Sequence, residues 1–302
     1  MGKTAFLFPG QGAQEVGMGQ ALVEKSSAAK SLFERAEQVL GYDLLDVCVN
    51  GPADHLDKTD ESQPAIFTTS LAALEVLREE SPELVENCQA AAGLSLGEYT
   101  ALTFAGVFSF EDGLALVKKR GEAMQEAAEA TQGGMVCVLG LERDKVVEIC
   151  DQARDNETLE IANYLGPGNI VVSGNIDACE RAAEIAPKLG AMKAVPLAVA
   201  GAFHTKLVQP ADEKLAEALA NTEMKQPRIP VISNVDVKPH TDAEEIRAIL
   251  VKQILGSVYW EDTMQFFLGD GFDQFYEIGP GRVLRGLLRR INRKISCKNI
   301  QG

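Results

Sequence analysis

Gly93-Leu94-Ser95-Leu96-Gly97 stands between a short apolar run, Ala90-Ala91-Ala92, and a second one of helical spacing. A G-x-S-x-G in that setting builds a nucleophile elbow. The glycines permit a tight strand-to-helix turn, which lifts the serine hydroxyl out of a sheet at a helix N-terminus that favours developing negative charge. The same serine could instead only cap the helix. A nucleophilic serine needs a base, and the chain holds three histidines. His55 in PADHLDK and His240 in VKPHTD occupy polar stretches that read as surface loops. His204, in VAGAFHTKL, follows an apolar run and is the candidate base.

A third residue is set apart by its place on a helix. Ser109 and Asp112 form an S-x-x-D capping box that starts a helix. At 100° per residue, Leu116, Val117, Ala123, Met124 and Ala127 fall within about 60° of Arg120, with Lys118, Glu122, Gln125 and Glu129 on the far side. Arg120 therefore sits in the middle of an apolar face. Its guanidinium must snorkel out, pair with a carboxylate of the protein, or meet an anionic ligand, because an unpaired buried charge is costly. The ligand solution implies a substrate carboxylate, which the planar fork suits.

The opening stretch KTAFLFPGQGAQ is an apolar run ended by Pro9, Gly10 and Gly12 around Gln11. A phosphate cradle would need G-x-G-x-x-G, but Glu15 stands at the third glycine, or G-K-[ST], but Met18 follows Gly17. Both templates fail, and a strand ending in a turn remains.

These residues need elements to hold them. Residues 134–197 read as strand GMVCVLG, helix ERDKVVEICDQAR, strands LEIAN and IVVSG, helix DACERAAEIAPKL and strand MKAVPL. The order βαββαβ is the split ferredoxin-like pattern of an inserted subdomain. On either side strands alternate with longer helices, among them one within residues 62–80 and one beginning near Arg282, and FYEIG reads as a strand. That alternation predicts an α/β core with a mainly parallel sheet.

Composition sets the outer bounds. The 302 residues carry a formal charge of −15, which excludes nonspecific nucleic-acid binding, since that affinity comes from neutralising phosphates with Lys and Arg. The exception is LLRRINRK at 287–294, either a solvated helix face or a local basic patch for an acidic partner. No apolar run reaches the 18 or so residues of a membrane helix, and the N-terminus lacks the order of a signal peptide; a cytoplasmic protein with no membrane partner is expected. Six scattered cysteines without C-x-x-C, and three histidines, favour neither disulfides nor a zinc site.

Together the motifs resemble the malonyl-CoA:acyl carrier protein transacylases of fatty acid synthesis and the related acyltransferase domains of polyketide synthases. FPGQG at 8–12, GLSLGEYTAL at 93–102, KKRGEAMQ at 118–125, GAFH at 201–204, PVISNV at 230–235 and EIGPGRVLRGLLRR at 277–290 carry the resemblance. It implies an α/β-hydrolase-like core over residues 1–130 and 200–302, with the ferredoxin-like subdomain over 131–199. It also implies transfer of a malonyl group from malonyl-CoA to the phosphopantetheine thiol of acyl carrier protein, through a malonyl-serine. In that family the Gln11 backbone N–H serves an oxyanion hole, with the N–H of Leu96 as second donor; Arg120 grips the malonyl carboxylate, His204 is the base, and the backbone carbonyl of Gln253 orients it. Asn163 is the one position to which a substrate-side role carries over from the subdomain. Phe203 in GAFH would crowd a methyl branch and so favours malonyl. No metal or redox cofactor is implied. The basic C-terminal helix and Lys118 or Lys119 are candidate docking residues for the acidic carrier. The chain departs from the family at Leu94, where histidine is usual. A polyketide acyltransferase and a hydrolase using the same Ser-His pair are the alternative readings.

Overall fold

The computed structural model describes residues 2–301. Strands β1 (Lys3–Phe8) and β2 (Ala90–Gly93) are almost wholly apolar, as strands covered on both faces must be. They pair in parallel, with Ala5 opposite Ala90 and Phe8 opposite Gly93. Between them the chain runs through α1 (Gln20–Lys25), α2 (Ser27–Leu40), α3 (Leu44–Asn50), α4 (Ala53–Leu56), the long α5 (Thr59–Glu80) and α6 (Pro82–Glu86). The elbow then leads into α7 (Leu96–Phe104), and the Ser109 capping box starts α8 (Phe110–Ala130), with the Asp112 N–H donating to Ser109 Oγ at 3.0 Å.

The second sheet is built from β3 (Gly133–Leu139), β4 (Leu159–Gly166), β5 (Asn169–Asn175) and β6 (Lys193–Pro196), with α9 (Arg143–Arg154) and α10 (Ile176–Lys188) in the expected βαββαβ order. Its strand order is β4-β5-β3-β6 and every pairing is antiparallel. Alternation along β3 explains its two faces: Val136 and Val138 pack with Val146, Ile149 and Ala182 of the helices, while Met135 joins the main core.

The chain returns to the first sheet through α11 (Ala211–Ala220), β7 (Val231–Ile232), α12 (Ala243–Leu255), α13 (Trp260–Gly269), β8 (Phe272–Ile278), α14 (Val283–Ile291) and β9 (Cys297–Ile300). Its order is β7-β2-β1-β8-β9, all parallel. Successive β1 residues feed opposite cores: Phe6 and Phe8 pack with Phe104 and the α5/α8 side, Ala5 and Leu7 with Trp260, Phe267 and Leu288. The molecule is thus α/β, with a parallel sheet and a small antiparallel one. No helix is long and apolar enough to cross a membrane.

Several local expectations need correction. Strand β4 runs to Gly166, past LEIAN, because it is bonded on a second edge: Tyr164 N–H donates to Val258 O and Val258 N–H to Ala162 O, at 2.9 and 2.8 Å. His55 lies on the one-turn helix α4 instead of a loop, and His240 is half-buried between Asp236 and Glu245. The basic run 287–294 is not one helix face: Leu287 and Leu288 are buried and α14 stops at Ile291, leaving Arg293 and Lys294 in the turn after it.

Candidate active site

The two central strands β1 and β2 end side by side, and both loops at their C-terminal edge enter the site, the usual place for ligands in a parallel sheet. Ser95 has φ 50° and ψ −103°, and α7 begins at the next residue. Such a conformation is strained for a non-glycine residue. The elbow is affordable only with glycines around it: a Cβ on Gly97 would lie 2.1 Å from Phe8 O, and one on Gly93 would lie 1.8 Å from the Gly97 carbonyl carbon. Leu94 N–H donates to Phe8 O at 3.1 Å, so the Gln11 loop and the elbow are tied together. Among the described residues neither the Gln11 nor the Leu96 backbone N–H has a protein acceptor, and both residues line the cavity that holds Ser95.

Ser95 Oγ lies 2.9 Å from His204 Nε2. His204 Nδ1 faces two main-chain acceptors, Gln253 O at 2.9 Å and Gly256 O at 3.1 Å. Those carbonyls fix the tautomer, because Nδ1 must carry the proton and Nε2 is left to accept one from serine. Burial, reinforced by the Arg120 charge, pushes the imidazole down to about 4 against the pull of the two carbonyls, so it is neutral at physiological pH.

Arg120 is 1% exposed, which removes the snorkelling solution. Its fork meets only neutral oxygens: Nη1 donates to Gln63 Oε1 at 2.8 Å, and Nη2 to Ser95 Oγ at 2.9 Å and Gln253 Oε1 at 3.2 Å. No carboxylate forms an ion pair with it among the described residues. Burial lowers its pKa, while neighbouring Tyr99 and Glu98 raise it. A cation held this close to the nucleophile suits an acyl group whose own carboxylate is a bond or two past the reacting carbonyl.

The cavity is ≈ 340 Å³, and Leu94, Met135, Leu197, Val283 and Leu287 are apolar parts of a lining that also holds Ser95, Arg120 and His204. Phe203 and Asn163 both line it, Phe203 buried beside His204 and Asn163 from β4 of the small sheet. Lys118 and Lys119 do not: both lie near Glu122, Lys119 exposed and Lys118 half-buried with its Nζ donating to Leu40 O at 3.2 Å.

Comparison with known proteins decides the family. The family model described as acyl transferase domain matches residues 5–296. The chain belongs to the acyl transferase family. It is 41% identical over 98% of its length, and 92% of the relative's, to a protein of Bacillus subtilis (strain 168) named malonyl CoA-acyl carrier protein transacylase. Among solved structures it resembles the acyl-carrier-protein-S-malonyltransferase from Bartonella henselae, at TM-score 0.96 and 40% identity, covering 99% of this chain and 96% of that one. It also resembles a malonyl-transacylase solved in complex with its type II PKS acyl-carrier protein, at TM-score 0.95 and 38% identity, covering 99% and 96%.

Within this acyl transferase site, sequence reasoning missed four contacts. Gly256 O is a second acceptor for His204. Gln63 takes one arm of Arg120. Asn234 accepts the Ser95 N–H at 2.6 Å and donates to Gly93 O at 2.8 Å, although PVISNV already marked its neighbourhood. Glu98, three residues after the nucleophile, is buried behind it.

Proposed function

We propose that this protein transfers the malonyl group of malonyl-CoA to the phosphopantetheine thiol of an acyl carrier protein, in fatty acid biosynthesis and in the cytoplasm. The observation that carries it is Arg120: a fully buried guanidinium, without a carboxylate partner, 2.9 Å from the serine oxygen. A neutral acyl chain would leave that charge unpaired at a cost, whereas a malonyl carboxylate completes it. The relatives named above carry the same activity in their names.

In this reading the reaction is ping-pong. His204 takes the Ser95 proton, Ser95 Oγ attacks the thioester carbonyl, and the developing oxyanion is met by the N–H groups of Gln11 and Leu96, donors typically worth about 3 to 4 kcal/mol. The carbon–sulfur bond breaks and coenzyme A leaves with a proton from His204. The carrier thiol then gives its proton to His204 and attacks the malonyl-serine carbonyl, the bond from that carbon to Ser95 Oγ breaks, and His204 returns the proton to Ser95. Gln253 and Gly256 hold the imidazolium through their carbonyls, where a hydrolase triad has a carboxylate. Phe203 narrows the acyl site and Asn163 faces it from the small sheet. No cofactor is called for.

The finer architecture fits the same reading. An α/β-hydrolase-like core over residues 1–130 and 200–302 would supply nucleophile, base and cation. The 131–199 unit, whose strand order is that of a ferredoxin-like fold, would form the opposite wall. Labelling with malonyl-CoA tests the central role: Ser95→Ala should carry no covalent malonyl group, and label retained in that variant would move the nucleophile elsewhere.

A further inference from the structure

Glu98 is a buried ionisable group beside the site that the reaction just described leaves without a task. It is 2% exposed on α7. Its Oε2 accepts from the Asn234 N–H at 3.1 Å and from Gln253 Nε2 at 2.6 Å. Both donors belong to residues that hold the reacting groups. Asn234 takes the Ser95 N–H on its side-chain oxygen, and Gln253 takes His204 Nδ1 on its main-chain oxygen.

The Gln253 amide has only one workable orientation. Its Nε2 faces two acceptors, Glu98 Oε2 and Ser95 O at 3.0 Å, and its Oε1 faces the Arg120 donor. A turned amide would set oxygen against oxygen on one side and N–H against guanidinium on the other. The shortest of these contacts, and the one made to an ionisable acceptor, is the 2.6 Å bond to the Glu98 carboxylate.

We propose that Glu98 is a positioning residue for acyl transfer: its ionised carboxylate locks the Gln253 amide and the Asn234 backbone, and through them the relative placement of Ser95, His204 and Arg120. The inference rests on the malonyl-transfer reading of this site. The charged or titratable groups facing Glu98 are Arg120 from α8, Asp236 from the segment after β7, and Tyr99 beside it on α7. Burial and Asp236 push the carboxyl up, to about 7, while Asn234, Gln253 and Arg120 pull it back. His204 stays neutral to about 4. A fall in activity as pH drops through about 7 is the behaviour expected of Glu98, whose protonation removes charge from an acceptor of the Gln253 amide.

The test is the rate of Ser95 acylation by malonyl-CoA, and separately by acetyl-CoA, from about pH 5 to about pH 9 for the full-length wild type, Glu98→Gln and Glu98→Ala, each with a thermal melt. The wild type should lose rate as pH falls through about 7. Glu98→Gln keeps a neutral acceptor oxygen, so it should be slower at neutral pH but flat through that range. Glu98→Ala should lose about 100-fold in kcat/KM for malonyl-CoA, as misplacement of a reacting group by an ångström does, with a reduced malonyl-to-acetyl ratio. An acid limb that survives unchanged in Glu98→Gln overturns the proposal, and this comparison holds even if Glu98→Ala does not fold. So does a Glu98→Ala enzyme that melts lower but keeps its rate and ratio. A wild type that acylates nowhere at any pH would instead overturn the malonyl reading itself.

Discussion

At the scale of single residues, the site is marked by a buried guanidinium that no carboxylate touches among the described residues. Arg120 leans on Gln63, Gln253 and Ser95, all neutral, and the proposal has a substrate carboxylate complete its fork. Replacing it with alanine should cost malonyl preference over acetyl about 2 to 5 kcal/mol, the range for breaking a buried charge pair; competition between the two thioesters measures this, and an unchanged ratio would contradict the assignment. His204 and Glu98 are shifted in opposite senses, to about 4 and about 7, both chiefly by burial. A buried carboxyl raised above its unfolded value of 4.5 contributes stability below that value and loses it as pH rises to about 7. The melting temperature of Glu98→Gln should therefore gain on the wild type as pH rises through that window. Ser95, His204 and Arg120 were legible in the sequence because a motif, a small choice of histidines and a helix face each isolate one residue. Gln63, Asn234 and Gly256 were not, since each acts through a contact to a residue more than 50 positions away, and Gly256 through its backbone alone.

At the scale of elements, two joints place those residues. The first is the elbow. Gly97 packs directly on Phe8 O, and a methyl group there has only backbone to displace. Gly97→Ala should push α7 off β1, separating Leu96 from the Gln11 loop; a stability loss of about 1 to 3 kcal/mol and a fall in kcat larger than any change in KM are expected from denaturant melts and steady-state rates. The second joint is the segment 256–259. Its first carbonyl holds His204, Val258 pairs with β4, and the Tyr259 N–H donates to Asn234 O at 2.9 Å. Tyr259 also stacks on Tyr164, with ring centres 5.1 Å apart, while Arg143 covers Tyr164 and reaches Glu261 and Asp262. The strand carrying Asn163 is thereby fixed to the segment whose Gly256 carbonyl holds His204. Truncating Tyr164 to alanine should cost about 0.5 to 1.5 kcal/mol for the ring pair, and should raise KM more than it lowers kcat. The strands and helices themselves were readable from periodicity. The extra length of β4 was not, because its second partner is one short stretch nearly a hundred residues on.

At the scale of the whole molecule, charge is unevenly placed. A chain of net charge −15 keeps Arg289, Arg290, Arg293 and Lys294 exposed at one end of α14, the helix whose Val283 and Leu287 line the cavity. None of the four forms an ion pair among the described residues. An acidic carrier protein approaching this cavity would be steered by that patch, an effect that fades with salt. Reversing Arg289 and Arg290 to glutamate should raise KM for the carrier well above any change for malonyl-CoA, and should flatten the dependence of carrier KM on ionic strength; equal effects on both substrates would place docking elsewhere. The central claim is covalent transfer through Ser95. Intact-mass spectrometry of the protein with malonyl-CoA, followed by a holo acyl carrier protein, tests it most directly. A malonyl adduct that maps to Ser95 and passes to the carrier thiol is the predicted result, whereas an adduct lost to water at the same rate with or without carrier would contradict it.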